Sequence, residues 1–404
     1  MMAANLTPVD EAIAHLLSKA PVITETELLP LTESLGRVLA QDYRVPADVP
    51  PADNSAMDGY ALRAADYAQR QPLPVSARIP AGSPPGTLQP GTAARIFTGS
   101  EIPAGADTVV MQERVEVTDN GILIDGEVKA DQNIRRRGQD LAEGSLALAK
   151  GSKIRPQEMG LLASIGVAEV NVVKKLRVAI LSTGDELVEP GLPLGPGQIY
   201  NSNRFTLLGL LAEAGCEAVL CETLGDTRST TRETLERAAT AADLVITSGG
   251  VSVGEEDHVR AVLEESGQLS LWRMAIKPGK PLAFGSIKGT PVFGLPGNPA
   301  SVLVTFLMVG MPYIRTCQGR LQVHPVGQQV PAAFNVTKPS VRREFLRART
   351  ESVNGKIQVS AYTNQSSGML SSACWSGGLA VVPEHALIAE GDLLTYYPFT
   401  DLLS

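Results

Sequence analysis

The chain has 404 residues, which at about 150 residues per domain predicts two to four domains. Forty-three acidic against 35 basic residues give a net charge of -8, which excludes a broadly basic binder of nucleic acid or anionic membranes. A hydrophobic content of 44% and a charged content of 19% exclude an intrinsically disordered chain, and 38 glycines with 28 prolines indicate many tight turns.

The first 120 residues predict a helix followed by a small β-rich domain. Thr7 and Pro8 are typical of a helix N-cap and first turn, and the helix is expected to run to about Lys19. A second short helix is expected over residues 32–40. Ten prolines between residues 46 and 103 exclude long helices there, and a strand at 108–112 and a hairpin turn at 119–121 indicate β structure.

From residue 176 onward, apolar runs alternate with helical periodicity. Leu207, Leu210, Leu211 and Ala214 follow the i, i+3, i+4, i+7 pattern of an amphipathic helix. Strands are expected at 176–182, 217–224, 243–247, before Ile276, and at 282–285 and 290–295. Helices are expected around 207–214, at 229–241 and 255–265, and after an N-cap at Asn298. This alternation predicts a doubly wound α/β domain with a mostly parallel sheet.

The alternation stops near residue 321, and short strands follow. They are expected at 341–350, 357–362, 380–382 and 393–397, with an Asn354-Gly355 turn between the first two. A separate C-terminal β domain is therefore predicted.

Five glycine-rich loops follow strands of the predicted α/β domain, at 183–186, 225–227, 248–257, 277–281 and 295–299. Open α/β sheets bind ligands at this carboxyl edge. Glycines and hydroxyls let backbone N–H groups approach an oxyanion, and Lys277 and Lys280 add two cations. Three carboxylates would repel a phosphate unless a hard cation such as Mg²⁺ lay between them: Glu186, Asp226 and Asp257. The loops indicate a phosphorylated ligand with a divalent metal. The alternative, five tight turns with solvated charges, is less economical.

Two motif matches in these loops fail on their context. Residues 250–254 fit the hydrolase pattern GxSxG, but Ser248, Gly249 and Gly250 intervene after the strand, and no histidine is marked as the partner of Ser252. Residues 279–281 lack the spacer and the hydroxyl residue of a phosphate-binding P-loop.

Two further polar clusters lie outside the α/β domain, at residues 54–60 with 97–99, and at 133–140. The second contains three consecutive arginines. These arginines fit a solvated loop as well as a contact with an anion.

The cysteine and hydropathy patterns predict a cytoplasmic protein. The four cysteines form no CxxC pair, so neither a zinc site nor a disulfide framework is expected. The most apolar stretch, residues 300–311, lies between Pro299 and Pro312 and is shorter than the roughly 18 residues that a membrane span needs. Residues 1–10 do not have the pattern of a signal peptide.

Together these clusters resemble the molybdopterin molybdenumtransferase family, which includes the E domain of gephyrin. The resemblance covers essentially the whole chain and is carried by eight motifs in order. They are SAMDGYA at 55–61, FTG at 97–99, RRRGQD at 135–140, STGDEL at 182–187, GDT at 225–227, SGGVSVGEEDHV at 248–259, KPGKP at 277–281 and LPGNPAS at 295–301.

The resemblance implies the last step of molybdenum cofactor synthesis. Molybdate and adenylylated molybdopterin are the implied substrates, AMP the product, and Mg²⁺ the implied cofactor. It also implies a homodimer whose partner subunit completes the cleft. The implied fold has a molybdopterin-binding-type α/β domain (residues 1–26 with 175–325), a β-rich domain (46–140), a mixed linking domain (27–45 with 141–174) and a C-terminal β domain (326–404).

Site residues follow from the same motifs. Asp58, Asp140 and Asp226 are the implied catalytic carboxylates, and Glu186, Asp226 and Asp257 the implied metal ligands. The implied substrate contacts are Thr98, Arg135, Ser248, Gly249, Gly250, Ser252, Lys277, Lys280, Pro296, Asn298, Arg347 and Ser371.

Two other functions stay open at this point. Related single-domain proteins adenylylate molybdopterin with ATP, although they resemble only the α/β part of the chain. A scaffold role like that of gephyrin is the other, although the chain lacks a long linker for it. The adenylyltransferase and downstream cofactor-handling proteins are candidate partners through transient contacts. Neither nucleic acid nor membrane is expected as a partner.

Overall fold

The structure, a computed structural model, describes residues 6–225, 227–251, 258–265, 269–279 and 281–404. Elements are numbered here in chain order. Up to residue 174 they are α1 Val9–Ser18, β1 Thr26–Pro30, β2 Tyr43–Arg44, β3 Asn54–Ser55, β4 Gly59–Leu62, β5 Val75–Ile79, β6 Ala93–Ile96, β7 Thr108–Met111, β8 Val115–Thr118, β9 Gly121–Ile124, β10 Ile134–Arg135, β11 Leu146–Leu148, α2 Pro156–Ser164 and β12 Glu169–Val173.

The α/β part follows. Its elements are β13 Arg177–Ser182, β14 Leu187–Val188, β15 Ile199–Tyr200, α3 Ser202–Glu213, β16 Glu217–Thr223, α4 Arg228–Ala241, β17 Leu244–Ser248, α5 His258–Glu265, β18 Ser270–Arg273, β19 Ile276–Lys277, β20 Pro281–Ile287, β21 Thr290–Leu295, α6 Pro299–Thr305 and α7 Met311–Cys317. The C-terminal part contains β22 Gln328–Pro331, β23 Arg343–Val353, β24 Lys356–Ala361, α8 Ser371–Trp375, β25 Gly378–Val382, β26 Leu393–Pro398 and α9 Phe399–Leu403.

The α/β part is built on a six-stranded sheet in the order β16-β13-β17-β21-β20-β18. The first four strands are parallel, whereas β20 and β18 are antiparallel to their neighbours. Alternate residues of β13 enter different cores: Ile180 packs with α1, α3 and α7, and Leu181 packs with α4 and α5. The predicted doubly wound fold is confirmed, with an antiparallel edge added.

The N-terminal part is β-rich, as predicted, with a four-stranded sheet in the order β5-β6-β4-β7. The predicted turn at 119–121 joins β8 to β9, with Thr118 opposite Gly121. Tyr67 is buried beneath this hairpin, where its hydroxyl donates to the carbonyl of Ile124.

Two N-terminal predictions are wrong. Residues 32–40 do not form a helix beyond the 3₁₀ turn Leu31–Glu33, because Gly36 takes a positive φ of 78°. The backbone N–H groups of Gly36 and Leu39 donate instead to the carbonyls of Ile154 and Ser152. The side chain of Thr7 does not cap α1, since its backbone is drawn into a bridge with Met274 and Pro8 occupies the N-cap position.

The helix that starts at Pro299 runs beyond Pro312, where the sequence pattern predicted a stop. A π-helical stretch, Phe306–Gly310, separates α6 from α7 and accommodates the proline, which has no N–H to donate. The resulting 19-residue helix, Pro299–Cys317, is long and apolar enough to cross a membrane by length and composition, contrary to expectation. Its most apolar window is 89% buried inside the protein, as in the core helix of a folded domain.

The C-terminal part is a β-sheet in the order β19-β23-β25-β26-β22, with β24 paired to β23 through the predicted Asn354-Gly355 turn. The strand predicted to end near Ile276 is divided. Its first part is β18, and β19 leaves the α/β sheet to pair with β23, which sets Lys277 opposite Glu344. This crossing connects the two sheets. The division of the chain at residues 27, 46, 141, 175 and 326 stays a prediction.

An ion pair also joins α1 to the C-terminal part. The Arg343 guanidinium donates to both carboxylate oxygens of Asp10, at 2.8 and 2.9 Å, and to Glu384 at 3.2 Å. The hydrogen bonds from Arg343 lower the pKa of Asp10 below its usual value. Because the folded state has the lower pKa, the pair stabilises it above about pH 4 and this contribution is lost at lower pH.

We expect Asp10→Asn to lower the melting temperature at pH 7. The free energy of unfolding should fall by less than about 1 kcal/mol, because Asp10 is largely exposed. Thermal unfolding of the wild type and the variant from pH 7 to pH 3 measures this effect. The difference between their melting temperatures should shrink below about pH 4, where the wild-type carboxylate is protonated. A difference of equal size at all pH values would show that the ion pair of Asp10 with Arg343 is not its cause.

Candidate active site

A cleft of about 740 Å³ lies at the carboxyl edge of the six-stranded sheet, where it meets the C-terminal part. Strand β20 starts at this edge because it runs antiparallel to β21, so the loop before it joins the loops that follow β13, β17 and β21. The described residues that line this side are Thr183, Glu186, Leu187, Ile199, Tyr200, Asn201, Ser202, Asn203, Ser248, Lys277, Pro278, Gly279, Pro281, Pro296, Gly297, Asn298, Pro299 and Ser301. Five predicted site residues therefore meet in one cleft: Glu186, Ser248, Lys277, Pro296 and Asn298.

Ser248 ends β17 at the floor of the cleft and is 2% exposed. Within the described chain its hydroxyl has no hydrogen-bond partner. Gly249 follows with a φ of +85°, and a Cβ there would lie 2.4 Å from the Thr183 hydroxyl oxygen. Only glycine fits this turn, which brings the backbone of the loop close to its neighbours. Gly249 and Gly250 stand beside the cleft and are not among its described lining residues.

Lys277 is held at the cleft wall by an ion pair. Its ammonium nitrogen lies 2.9 Å from Oε1 of Glu344, a carboxylate that is 14% exposed. Because β19 and β23 pair in parallel register, the backbone sets these two side chains opposite each other. The lysine is half-exposed, so a ligand in the cleft can reach its ammonium group.

Asn298 stands at the N-cap position of α6, as predicted, but its side chain does not cap the helix. Its amide donates instead to the Ser367 hydroxyl at 3.0 Å, while the backbone N–H of Ala300 donates to the Ser367 carbonyl. The asparagine therefore connects the start of α6 to the C-terminal part.

The opposite wall is C-terminal, and sequence reasoning missed the residues that line it, since it predicted only Arg347 and Ser371 in this part of the chain. Its described lining residues are Arg342, Gln365, Ser366 and Ser367. Arg342 is half-buried, and its guanidinium has no ion-pair partner in the described parts of the chain. Nothing local in the sequence distinguishes it from Arg343, whose charge is paired.

Arg347 and Ser371 differ in their relation to this wall. Arg347 is fully buried, and its guanidinium donates to the Ser372 hydroxyl and to the Ser366 carbonyl, both at 3.0 Å. Burial lowers the pKa of Arg347. The arginine therefore supports the loop that lines the cleft, while Ser371 is exposed at the start of α8 outside the described lining.

Of the three predicted metal ligands, Glu186 belongs to the described residues. Glu186 lines the cleft, and its carboxylate folds over Gly184, where a Cβ would lie 2.4 Å from Oε2. The described residues contain no group of three acidic, histidine or cysteine side chains that could hold a metal. Asp226 and Asp257, with Ser252 and Lys280, lie outside the described residues. Glu186 offers a carboxylate of the kind through which Mg²⁺ binds proteins, where it keeps waters and substrate phosphates as its other ligands.

A second predicted cluster forms in the N-terminal part. One carboxylate oxygen of Asp58 accepts hydrogen bonds from the backbone N–H and from the hydroxyl of Thr98, both at 2.8 Å. The Thr98 amide, followed by its hydroxyl, lowers the pKa of Asp58. Both residues are exposed, so an ionised carboxylate faces outward here.

The arginine run joins this cluster through β10, whose Arg135 pairs with Asn54 of β3. Arg136 is paired with Asp53 and Asp131, and Arg137 with Asp48. Arg135 is exposed, and no side-chain partner is found for it in the described chain. Both readings of the run therefore apply, since two arginines are structural and one is available to an anion.

Asp58, Thr98, Arg135 and Asp140 are absent from the described lining of the cleft of the same chain. Five of the described predicted residues therefore line the cleft, whereas Asp58, Thr98, Arg135 and Asp140 lie on the N-terminal part.

Three family models match successive parts of the chain. They are described as "MoeA N-terminal region (domain I and II)" over residues 7–166, "Probable molybdopterin binding domain" over 179–316, and "MoeA C-terminal region (domain IV)" over 329–399.

Whole-length relatives agree with these matches. The molybdopterin molybdenumtransferase of Haemophilus influenzae is 42% identical over 98% of this chain and 99% of its own. Molybdopterin molybdenumtransferase 2 of Mycobacterium tuberculosis is 37% identical over 92% of this chain and 95% of its own. The crystal structure of the molybdopterin biosynthesis moeA protein from Pyrococcus horikoshii OT3 is similar with a TM-score of 0.82, at 32% identity over 97% of this chain and 100% of that one. The chain therefore belongs to the molybdopterin molybdenumtransferase family, enzymes of the molybdenum-insertion step in molybdenum cofactor biosynthesis.

Proposed function

We propose that this enzyme inserts molybdenum from molybdate into adenylylated molybdopterin and releases AMP. The observation that carries the proposal is the cleft itself, in which glycine-rich loops, the N-termini of α3 and α6, and the cations Lys277 and Arg342 converge. Helix N-termini and cations both favour a ligand that carries phosphate groups. The same groups favour molybdate, which is also an oxyanion.

The chain supplies positioning and charge compensation. An oxygen of water or of molybdate attacks the adenylyl phosphorus, the phosphoanhydride bond breaks, and the pterin phosphate is the leaving group. Attack by water gives AMP directly, with the proton of water passing to solvent, whereas attack by molybdate gives an adenylyl-molybdate anhydride that water then hydrolyses to AMP and molybdate. Lys277 stabilises the negative charge that develops on the phosphate oxygens, and the glycine-rich loops bring backbone N–H groups near them. A carboxylate among Asp58, Asp140 and Asp226 orients the attacking oxygen. Asp58 suits this role because it is exposed and Thr98 fixes one of its carboxylate oxygens by two hydrogen bonds.

Mg²⁺ would be held by Glu186 together with Asp226 and Asp257. When bound, it supplies charge neutralisation to the pyrophosphate. Glu186 and the two aspartates belong to loops after three neighbouring strands, β13, β16 and β17, which supports their cooperation at one edge.

Molybdenum would be bound by sulfur atoms of the pterin substrate, so no protein thiol is required. Burial raises the pKa of Cys216 and of Cys317 to about 12, which keeps both as neutral thiols. All four cysteines are unpaired, which supports the reducing cytoplasm as the location.

The test is AMP release from adenylylated molybdopterin with and without molybdate. We expect release that depends on molybdate, and its loss in Asp226→Ala with pterin binding kept. Consumption of ATP and molybdopterin without molybdate would instead indicate adenylylation. Unchanged AMP release in the Asp226 variant would overturn the assignment of this residue.

We also propose that the enzyme is a homodimer in which Asp58, Thr98, Arg135 and Asp140 of one protomer face the cleft of its partner. Their absence from the described lining of the same chain supports this arrangement. Large apolar side chains left exposed in this segment of the chain support a covered surface there. Ile199 and Tyr200 line the cleft, and Leu192, Leu194 and Phe205 are close to them in the sequence.

Mixing two inactive variants tests the shared cleft. In the proposed dimer each cleft takes Asp58 from one protomer and Lys277 from the other. A mixed dimer of Asp58→Asn and Lys277→Met therefore has one cleft with both native residues and one cleft with both substitutions. Random exchange of subunits is expected to restore about a quarter of the wild-type activity. Recovery should require refolding or exchange of the mixed subunits, and no recovery in a verified mixed dimer would place both residues in the same protomer's site.

A further inference from the structure

Asn203 lies in the first turn of α3, at the floor of the cleft, and is 9% exposed. Its side-chain nitrogen donates to the backbone carbonyl of Gly297 at 2.7 Å. A carbonyl oxygen can only accept, so this contact sets which end of the amide is nitrogen. The side-chain oxygen, Oδ1, is therefore the end that is left to bind something else.

Oδ1 of Asn203 is buried and has no hydrogen-bond donor in the described parts of the chain. Buried amide oxygens almost always have a donor, because removal from water without one costs stability. The neighbouring Asn201 shows the ordinary case: its nitrogen donates to Ser182 at 3.0 Å and its oxygen accepts from the N–H of Arg204 at 3.2 Å.

The chemistry of this oxygen differs from that of the other cleft groups. Ionised phosphate and molybdate oxygens accept hydrogen bonds, so they cannot satisfy an amide oxygen. A ligand group that does so must carry an N–H or O–H donor. The hydroxyl of Ser248, also unpartnered at the cleft floor, can donate or accept. The N–H groups at the edge of a heterocycle meet the requirement that Oδ1 of Asn203 sets.

We propose that Asn203 is a specificity-determining residue whose Oδ1 accepts a hydrogen bond from an N–H group of the substrate's heterocycle. The inference rests on the proposed function, because that function names the substrate, adenylylated molybdopterin, and thereby its two heterocycles, the pterin and the adenine. It adds a direct ring contact that is separate from the phosphate and molybdate contacts of Lys277.

Binding experiments on the full chain test this without the reaction. Pterin-6-carboxylate is titrated by its fluorescence, and AMP by calorimetry. Asn203→Ala is expected to weaken one of the two probes about tenfold and to leave the other within about twofold. The probe that is weakened identifies the ring.

Asn203→Asp distinguishes the role of Oδ1 as an acceptor from the role of the side-chain nitrogen as the donor to Gly297. It loses the donor to Gly297, as the alanine variant does, but keeps an acceptor oxygen. Retained binding in Asn203→Asp with lost binding in Asn203→Ala supports the proposal. Equal loss in both variants, or equal weakening of both probes, would mean that Asn203 only holds the Gly297 loop and would overturn it.

Gln318→Ala is the matched control, since this buried amide donates to the Ala214 carbonyl at 2.8 Å and does not line the cleft. Its binding of both probes should equal that of the wild type. Wild-type protein that binds neither probe would also overturn the proposal. Probe binding in a protein that fails to insert molybdenum would instead count against the proposed function alone.

Discussion

Replacing Lys277 by methionine is expected to lower the rate of molybdenum insertion by a factor of about 10² to 10³, the usual cost of one pre-organised charge at a reacting anion. Methionine keeps much of the side-chain length and removes the charge. The loss should appear in kcat as well as in KM for the pterin substrate, because the ammonium acts on charge that develops during the reaction.

The matched variant is Lys277→Arg. It keeps a cation opposite Glu344, where the pairing of β19 with β23 places it. We expect it to retain activity within about tenfold of the wild type, since the charge is kept but its geometry changes. Steady-state AMP release at saturating molybdate measures both variants. Activity of the methionine variant within threefold of the wild type would remove Lys277 from the proposed mechanism.

Replacing Arg315 by methionine is expected to destabilise the protein by about 3 kcal/mol, because it removes several hydrogen bonds from a buried guanidinium to backbone carbonyls, including the buried bond to Leu402. Arg315 is 2% exposed, and its guanidinium donates to the carbonyls of Val323, Leu402 and Ser404 at 3.2, 2.8 and 2.8 Å. It thereby holds the end of α9 against α7. Methionine fills part of the volume and replaces none of these bonds.

Calorimetry of the intact chain measures the effect. About 3 kcal/mol corresponds to a fall of roughly 6–12 °C in the transition of a unit of 150–250 residues. Arg44→Met is the control, since the exposed guanidinium of Arg44 donates one weak hydrogen bond, 3.1 Å long, to the Gly144 carbonyl. A fall of less than 2 °C for Arg315→Met, or an equal fall for both variants, would show that the buried bonds contribute little.

Local patterns were sufficient for most of the α/β part. Strands such as β13 and β17 are buried on both faces, so their continuous apolar runs are visible without any knowledge of the fold. The glycines after them could be assigned to one edge because parallel strands end together. Ser248, Lys277 and Pro296 were placed in a shared site by this reasoning, and they do line one cleft.

Patterns failed where distant segments compete for the backbone. Residues 32–40 have a helical appearance, but their N–H groups find carbonyls in residues 152–154 instead. The sequence pattern predicts that the apolar stretch ends at Pro312, yet the π-helical turn before this proline lets the helix continue. Neither outcome is encoded in the residues alone, because each depends on what the rest of the chain packs against.

The sequence by itself determined the class of the protein, the alternation of its elements, and the residue types around an anionic ligand. Tertiary structure decided which of those residues share a cleft. Arg342 and Gln365 enter it only because β19 pairs with β23, and Asn203 is distinguished only by a buried oxygen without a donor. Periodicity and turn chemistry are local properties of a chain, whereas the register between distant strands and the satisfaction of buried polar atoms exist only once it has folded.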